Sequence, residues 1–344
     1  MNIITKCQEV VLSDCERDLL KSLLLNYSYP KHGYNEYLKG LKKELFKHLP
    51  ESLLEAAFNY EQSFHPPAAI VFKNLPTDSE LPLTPFCPNN VEGKNTSVSE
   101  NLLCVLAMLF GEPYAISTES LNLVNNLIPK KTDLNKFTGL GSRRTLDYHI
   151  ENSAMRYIFK DSCTPKGLLI GGLRNEINTP PFTQVSDARV ALKRLTDEQV
   201  KVLQSKAFII RVPKRWREVL PEKHIQTNPV PMVEGSIERP IVNAAFYDDM
   251  VDPITSEASQ AFEAFREAIK DVGLNFVVEE GTAIFINNRV ALHSRTAFEP
   301  HFDENDRPSR WLQRVFVTDH LWGFRDWQCD KDRVFTPGNN VLCE

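Results

Sequence analysis

Hydrophobic positions in the first part of the chain recur at helical spacing, whereas from about residue 145 onward they fall in short apolar runs between polar or proline-bearing connections. Ser13 and Glu16 form a capping-box pattern ahead of Leu19, Leu20, Leu23 and Leu24. Leu38, Leu41 and Leu45 continue the helical period, so the stretch 1–65 is expected to be a mostly helical flank. "AAIVFKNLP" at 68–76 reads as a buried strand, and "LPLTPFCPNNVEGKNTS" after it as a loop. Ser97 and Glu100 are expected to cap a helix carrying "LLCVLAMLF", which stops at Gly111 and Pro113.

The later runs "TLDYHIE", "GLLIGGL", "AFIIRV", "IVNAAFY", "NFVVEE", "TAIFINN", "VALHSRT" and "RWLQRVFVTDH" read as strands. Helical insertions are expected near 186–204 and near 254–271, the second ending at Gly273. Asn287 and Asn288 supply a turn, which makes "VALHSRT" the second arm of an expected β-hairpin. Many short strands with such connections predict an antiparallel sandwich or jelly roll, mainly β with flanking helices, rather than a parallel α/β sheet. The organisation expected is one domain over 1–344, with its core at 68–320 and a C-terminal extension at 321–344. The aromatic residues of "HLWGFRDWQCD" are expected to pack the N-terminal helices onto the core.

Composition narrows the partners. The 344 residues are 42% hydrophobic and 25% charged, with a net charge of −5, which gives no electrostatic reason to expect nucleic acid. Seven scattered cysteines without a C-x-x-C suggest neither a disulfide framework nor a zinc knuckle, and a reducing cytoplasm is the expected home. The N-terminus lacks a basic-then-apolar signal pattern, and the longest apolar run is too short for a membrane span. The oligomeric state is left open.

Two H-x-[DE] pairs occur, His149/Glu151 and His301/Asp303, where chance gives roughly one in a chain of this composition. On a strand, residues two apart share a face, so His149 and Glu151 can grip one metal ion. His301 and Asp303 sit in "EPHFDENDRPS", a polar loop, and read as surface residues. His293 in "VALHSRT" is the third ligand candidate. Two histidines and one carboxylate leave three coordination positions open, the arrangement suited to non-haem Fe(II) and O2 rather than to a closed structural zinc site. A 2-oxo acid chelating that iron needs a cation for its other carboxylate. Arg310 and Arg314 in "RWLQR" lie four apart on one strand face and can offer it.

The ordered set of H-x-E, a distal His and R-W-L-Q-R resembles the clavaminate synthase-like branch of the Fe(II)/2-oxoglutarate oxygenases, especially its free arginine and lysine hydroxylases. The likeness runs from about residue 68 to 320 and includes "GEP" at 111–113, "HIEN" at 149–152, "GLRN" at 172–175 and "LHSRTAFEP" at 292–300. The resemblance implies a double-stranded β-helix of the cupin type. It also implies that His149, Glu151 and His293 bind iron, that Arg310 pairs with the distal carboxylate of 2-oxoglutarate, and that Arg314 holds the substrate's carboxylate. The loop before "RWLQR" is longer than the family usually has, which makes Arg307 a rival to Arg310. Thr183 is the best match to a threonine that touches 2-oxoglutarate, with Thr179 nearby.

The implied reaction consumes O2 and 2-oxoglutarate, releases succinate and CO2, and hydroxylates an unactivated C–H bond. Asp248 and Asp249 in "AAFYDDM" fall where related hydroxylases carry aspartates for a basic side chain, and Glu119 is a candidate partner for the amino group. The residues themselves leave Asp248 and Asp249 equally readable as a solvated strand end. A carboxylate at 151 argues against a halogenase. A free basic L-amino acid is the expected substrate, lysine at its 4-position ahead of arginine. Desaturation or cyclisation with the same cofactors, and a non-catalytic metal- or ligand-binding jelly roll, are the alternatives.

Overall fold

The computed structural model describes residues 5–135, 141–159, 163–176 and 178–337. Cys343 and residues 338–344 of the expected C-terminal extension lie outside them. Strand β1 (Cys7–Val11) precedes helices α1 (Asp14–Leu24), α2 (Tyr34–Leu45) and α3 (Glu51–Gln62). Next come β2 (Ala69–Lys73), α4 (Val98–Phe110), β3 (Glu112–Ile116), β4 (Asn125–Leu127), β5 (Leu146–His149) and α5 (Met155–Ile158). The middle holds β6 (Gly167–Arg174), β7 (Thr183–Asp187), α6 (Ala188–Leu192), α7 (Asp197–Leu203), β8 (Phe208–Ile210) and α8 (Lys214–Arg217). After β9 (Val233–Glu234), β10 (Ile241–Val242) and β11 (Val251–Pro253) run α9 (Ser256–Asp271) and β12 (Leu274–Phe276). The last strands are β13 (Ala283–Asn287), β14 (Ala291–Arg295), β15 (Trp311–Thr318), β16 (Gln328–Lys331) and β17 (Val334–Thr336).

Two sheets carry the site. The larger runs β1-β2-β13-β6-β15-β3-β17-β16, with β4 also on β15, and the smaller runs β12-β7-β14-β5. Pairing is antiparallel except for β1 with β2 and β17 with β3. The fold is therefore mainly β with flanking helices. Alternation along β15 explains how one strand serves two layers. Val315 and Val317 pack with α4 and the N-terminal helices, whereas Leu312 and Phe316 join the core on the other face of the sheet. Arg310, Leu312 and Arg314 share that inner face and line a cavity.

The helical flank forms as its periodicity predicts. Ser13 and Glu16 make a reciprocal capping box, and Leu20, Leu24, Leu38, Leu41 and Leu45 are buried against α4 and the large sheet. Leu19 is exposed, on the outer side of its helix. β1 was not anticipated, because its five residues alternate too weakly to stand out before the first capping box.

Four other expectations are corrected. α4 is capped not by Ser97 but by Asp78, whose carboxylate accepts from the Val98 and Ser99 amides at 2.9 and 3.2 Å. Glu100 instead pairs with buried Lys94 and accepts from Gln313. The region near 186–204 is not one helix: it holds the end of β7, with Asp187 capping α6, and then α7. β13 and β14 are not hairpin partners, since they lie in different sheets, and the Asn287–Val290 turn carries the chain from one to the other. Phe324 and Trp327 do not hold the N-terminal helices; they pack with Tyr114, Trp216 and Phe335 on the opposite face of the large sheet. At the end of α4, Gly111 takes φ 152°, and any Cβ there would collide with the Thr318 carbonyl.

Candidate metal centre

β5 and β14 are antiparallel neighbours in which His293 and His149 are direct cross-strand partners, so the ladder itself brings the two imidazoles face to face. Their ring centroids lie 4.2 Å apart. Glu151 is not on the strand, as the H-x-E spacing had suggested. β5 ends at His149, and Glu151 opens the turn that follows. What fixes it is Asn288: its carboxamide oxygen accepts from the Glu151 amide at 2.9 Å, and its nitrogen donates to the Glu151 and Pro165 carbonyls. The same sheet-crossing turn that delivers His293 thus pins the carboxylate.

All three side chains are buried, and one donor atom from each lies within 4.8 Å of the others. No further His, Cys, Asp or Glu joins the group among the described residues. His149 Nδ1 meets the Asp147 carbonyl at 2.8 Å, which assigns the proton to Nδ1 and leaves Nε2 a free lone pair. Burial, with His293 alongside, lowers the His149 pKa to about 4, so the ring is neutral at ordinary pH. His293 Nδ1 is buried without a hydrogen-bond partner among the described residues. Burial acts to raise the Glu151 carboxyl, yet Arg314 and His293 outweigh it and hold the group well below the usual carboxylate range. Two imidazoles and one ionised carboxylate fit a divalent first-row metal with open positions.

The cavity beside them has a volume of about 660 Å³ and is lined from both sheets. Two groups of arginines meet it. Arg310 and Arg295 flank the Phe298 ring, each guanidinium 5.2 Å from its centroid. Arg310 donates from Nε to Asn175 at 3.2 Å, and Arg295 donates to the Gly141 and Arg144 carbonyls. Neither forms an ion pair with a carboxylate among the described residues. Burial pushes Arg295 down to about 10 and, with Arg295 adding repulsion, Arg310 down to about 9. The second group is neutralised. Arg314 donates to Glu151 at 2.7 Å and to Glu119 at 2.9 Å, and Glu119 also accepts from Arg215 Nε at 3.0 Å and Trp216 Nε1 at 2.9 Å.

The other anticipated residues divide between cavity wall and periphery. Thr183 is buried in the cavity wall opposite Arg295, whereas Thr179 is exposed. Arg307 donates to the Thr84 carbonyl, stacks 4.2 Å from the Phe86 ring centre and does not line the cavity. His301 is exposed on its loop. Asp248 lines the cavity mouth, exposed and without a charged partner among the described residues. Asp249 adopts a left-handed φ of 66° and is held by Arg217, at 2.5 Å to its carboxylate and 2.7 Å to its carbonyl.

Several residues went unnoticed in the sequence. Arg295 lies two positions beyond His293 on β14, and that inward spacing was the available signal. Tyr247 lines the cavity with its ring 5.5 Å from that of His149, and burial raises its hydroxyl well above the usual tyrosine range. Arg215 and Arg217 on α8 gave no signal, since a single helical turn leaves no periodicity to read.

Comparison with known proteins agrees with this geometry. Residues 182–316 match the family described as Taurine catabolism dioxygenase TauD, TfdA family, a span that includes His293, Arg310 and Arg314. The L-asparagine oxygenase of Streptomyces coelicolor is 26% identical over 274 residues, covering 79% of this chain and 77% of the relative. The chain is thus similar to Fe(II)/2-oxoglutarate oxygenases. It is also similar to the L-lysine 4-hydroxylase of Niastella koreensis, 24% identical over 91% of this chain and 83% of the relative. Its fold is shared with a crystal structure of asparagine oxygenase in complex with Fe(II), 3-hydroxyasparagine and succinate, with a TM-score of 0.82 and 23% identity, covering 96% and 99% of the two chains. The non-heme iron oxygenase OrfP, in complex with Fe and alpha-ketoglutaric acid, gives a TM-score of 0.78 at 23% identity, covering 95% and 99%. No helix among the described residues is long and apolar enough to cross a membrane.

Proposed function

We propose that this protein is a double-stranded β-helix Fe(II)/2-oxoglutarate oxygenase that hydroxylates a free basic L-amino acid, lysine at its 4-position ahead of arginine. The observation that carries the reading is the buried His149, Glu151 and His293 trio standing in one cavity with a cation pair, Arg310 and Arg295, that forms no ion pair among the described residues, Glu176 acting on Arg310 only from beyond contact. Bound ferrous iron and 2-oxoglutarate together supply the oxidising power that puts one atom of O2 on an unactivated C–H bond and the other into succinate, with loss of CO2.

The chain's own residues do the rest. His149, Glu151 and His293 would hold the metal, with the Asp147 carbonyl and the Asn288 carboxamide fixing a ring and the carboxylate-bearing turn. Arg310 would take the distal carboxylate of 2-oxoglutarate, with Thr183 beside it and Arg295 adding positive potential from across Phe298. Arg314 would hold the amino acid's carboxylate. Asp248 supports a basic side chain because it faces the cavity without a charged partner. A compact ammonium suits one lone carboxylate, and the N. koreensis relative's name favours lysine as well. Asp249 and Glu119, already engaged by arginines, would act on the substrate at second hand, by setting the turn that carries Asp248 and the orientation of Arg314. Fixing both charged ends of the substrate selects the carbon attacked.

Incubation with Fe(II), ascorbate, 2-oxoglutarate and a panel of free amino acids tests this. The expected result is succinate release with lysine and a product heavier by one oxygen atom. A product lighter by two hydrogen atoms would instead mean desaturation or ring closure, and no turnover with any amino acid would leave a binding protein.

A further inference from the structure

We propose that Arg314 is shared between Glu151 and the substrate's carboxylate, released to the latter when Glu151 takes a metal, and that Glu119 is the positioning residue that keeps Arg314 in place during the exchange. The inference rests on the functional reading above for Arg314's ligand and goes beyond it in coupling two sites. Glu151 Oε1 is the atom in question. It accepts from Arg314 Nη1 at 2.7 Å and lies 3.7 Å from His293 Nε2, so the oxygen that faces the imidazole is also the one the guanidinium uses. A metal held between Glu151 and the histidines draws on that same oxygen. Its charge also repels the guanidinium next to it, which weakens the Arg314–Glu151 contact.

Without a second anion Arg314 would be left as a buried, half-neutralised cation. Glu119 prevents that. Its side chain is only 3% exposed and is fixed at the far side by Arg215 and Trp216, while its Oε2 receives Arg314 Nη2 at 2.9 Å. Burial works to raise Glu119, but Arg215 and Arg314 keep it ionised, below the usual carboxylate range. Arg314 is further seated over the Phe316 ring, 4.2 Å from its centre. Nη1 is thus the part of the guanidinium that becomes available, and a carboxylate arriving beside Glu151 meets less repulsion once Glu151 is itself neutralised. In the metal-free chain the same carboxylate must displace Glu151 and sit next to it. Metal and amino acid therefore favour each other's binding, with Arg314 as the shared group.

Calorimetric titration tests this with L-lysine, L-arginine and L-asparagine, in the absence of 2-oxoglutarate, on chelator-treated protein and on protein loaded with redox-inert Zn(II). Zinc is expected to tighten amino-acid binding by about tenfold or more, within the usual range of coupling between sites. Glu151→Ala without metal is expected to bind more tightly than the metal-free wild type, an improvement on deleting a metal ligand that a merely structural role for Arg314 does not produce. Glu119→Gln, loaded with zinc, should bind the amino acid more weakly, and it should also hold zinc less tightly than wild type, because the released Arg314 then lacks its second anion. Equal wild-type affinity with and without zinc, or no gain in Glu151→Ala, overturns the proposal. Crystals grown with and without zinc decide it independently of any variant's folding: the Arg314 Nη1 contact to Glu151 should be lost in the zinc form, and its persistence overturns the exchange. If none of the three amino acids binds the zinc-loaded protein, the substrate reading fails, while the crystal comparison still judges the arginine.

Discussion

The two arginine groups that reach the cavity are built differently, although Arg310, Arg295 and Arg314 are all buried and only Arg215 is partly exposed. Around Arg310 and Arg295 the chain supplies an aromatic ring, an amide and two carbonyls, but no carboxylate in ion-pair contact among the described residues, Glu176 acting on Arg310 only at longer range. Around Arg314 and Arg215 it supplies Glu119 and Glu151. Taking a charge out of water is costly unless an opposite charge accompanies it. The first group therefore stays incompletely compensated until an anion arrives, whereas the second is complete within itself and must break a contact before it can bind anything. Burial alone does not identify a ligand site; burial without a counter-ion does.

The largest test of this contrast lies at the point between the groups. His293→Ala should abolish metal retention and lower turnover by at least about a thousandfold, read by metal analysis and succinate release. Arg310→Met should raise the KM for 2-oxoglutarate by about a hundredfold, the usual scale for truncating one partner of a buried charged hydrogen bond. The same variant should leave the melting temperature unchanged or higher, because it removes an uncompensated buried cation. Arg314→Met should do the reverse in the metal-free protein and destabilise it by about 3 kcal/mol, since it strands Glu151 and leaves Glu119 to Arg215 alone. If the two variants melt alike, the distinction between the groups is wrong.

A smaller effect should appear with pH. The His149 pKa is depressed to about 4 in the fold, from an ordinary value of 6.5. The unfolded chain thus binds a proton that the folded one refuses, and the stability of the metal-free protein should fall by about 3 kcal/mol as pH drops from 6.5 to 4. Denaturant titrations of wild type and His149→Phe across that window measure it, and equal slopes would count against a neutral buried imidazole. The smallest change is expected from Arg307→Gln. Its guanidinium reaches Thr84 and Phe86 rather than the cavity, so the KM for 2-oxoglutarate should stay within about twofold of wild type, as for most surface substitutions.

What the sequence disclosed follows from the range of the forces involved. The capping box at Ser13, the leucine period of the N-terminal helices and the alternation of "RWLQRVFV" are local, and each is seen in the fold. The approach of His293 to the 149/151 pair was inferred from strand texture and resemblance, and a direct cross-strand pairing accomplishes it. What stayed hidden depends on partners distant in the chain. Asp78 caps a helix that starts 20 residues later, and Glu119 is neutralised by Arg215, 96 residues on, and by Arg314. The two acidic residues of "AAFYDDM" looked equivalent in sequence. Both line the cavity, but a left-handed backbone at Asp249 turns it to Arg217, whereas Asp248 has no charged partner among the described residues.

The single turn of α8 has a hold on both ends of the cavity. Arg215 reaches inward to Glu119, and Arg217 reaches across the mouth to Asp249. A hinge movement of these four residues would loosen the floor and the entrance in one stroke, so the two cannot be tuned apart. Variation in this short segment is consequently where oxygenases of this shape would change the size of molecule they admit and the grip on its acid end together.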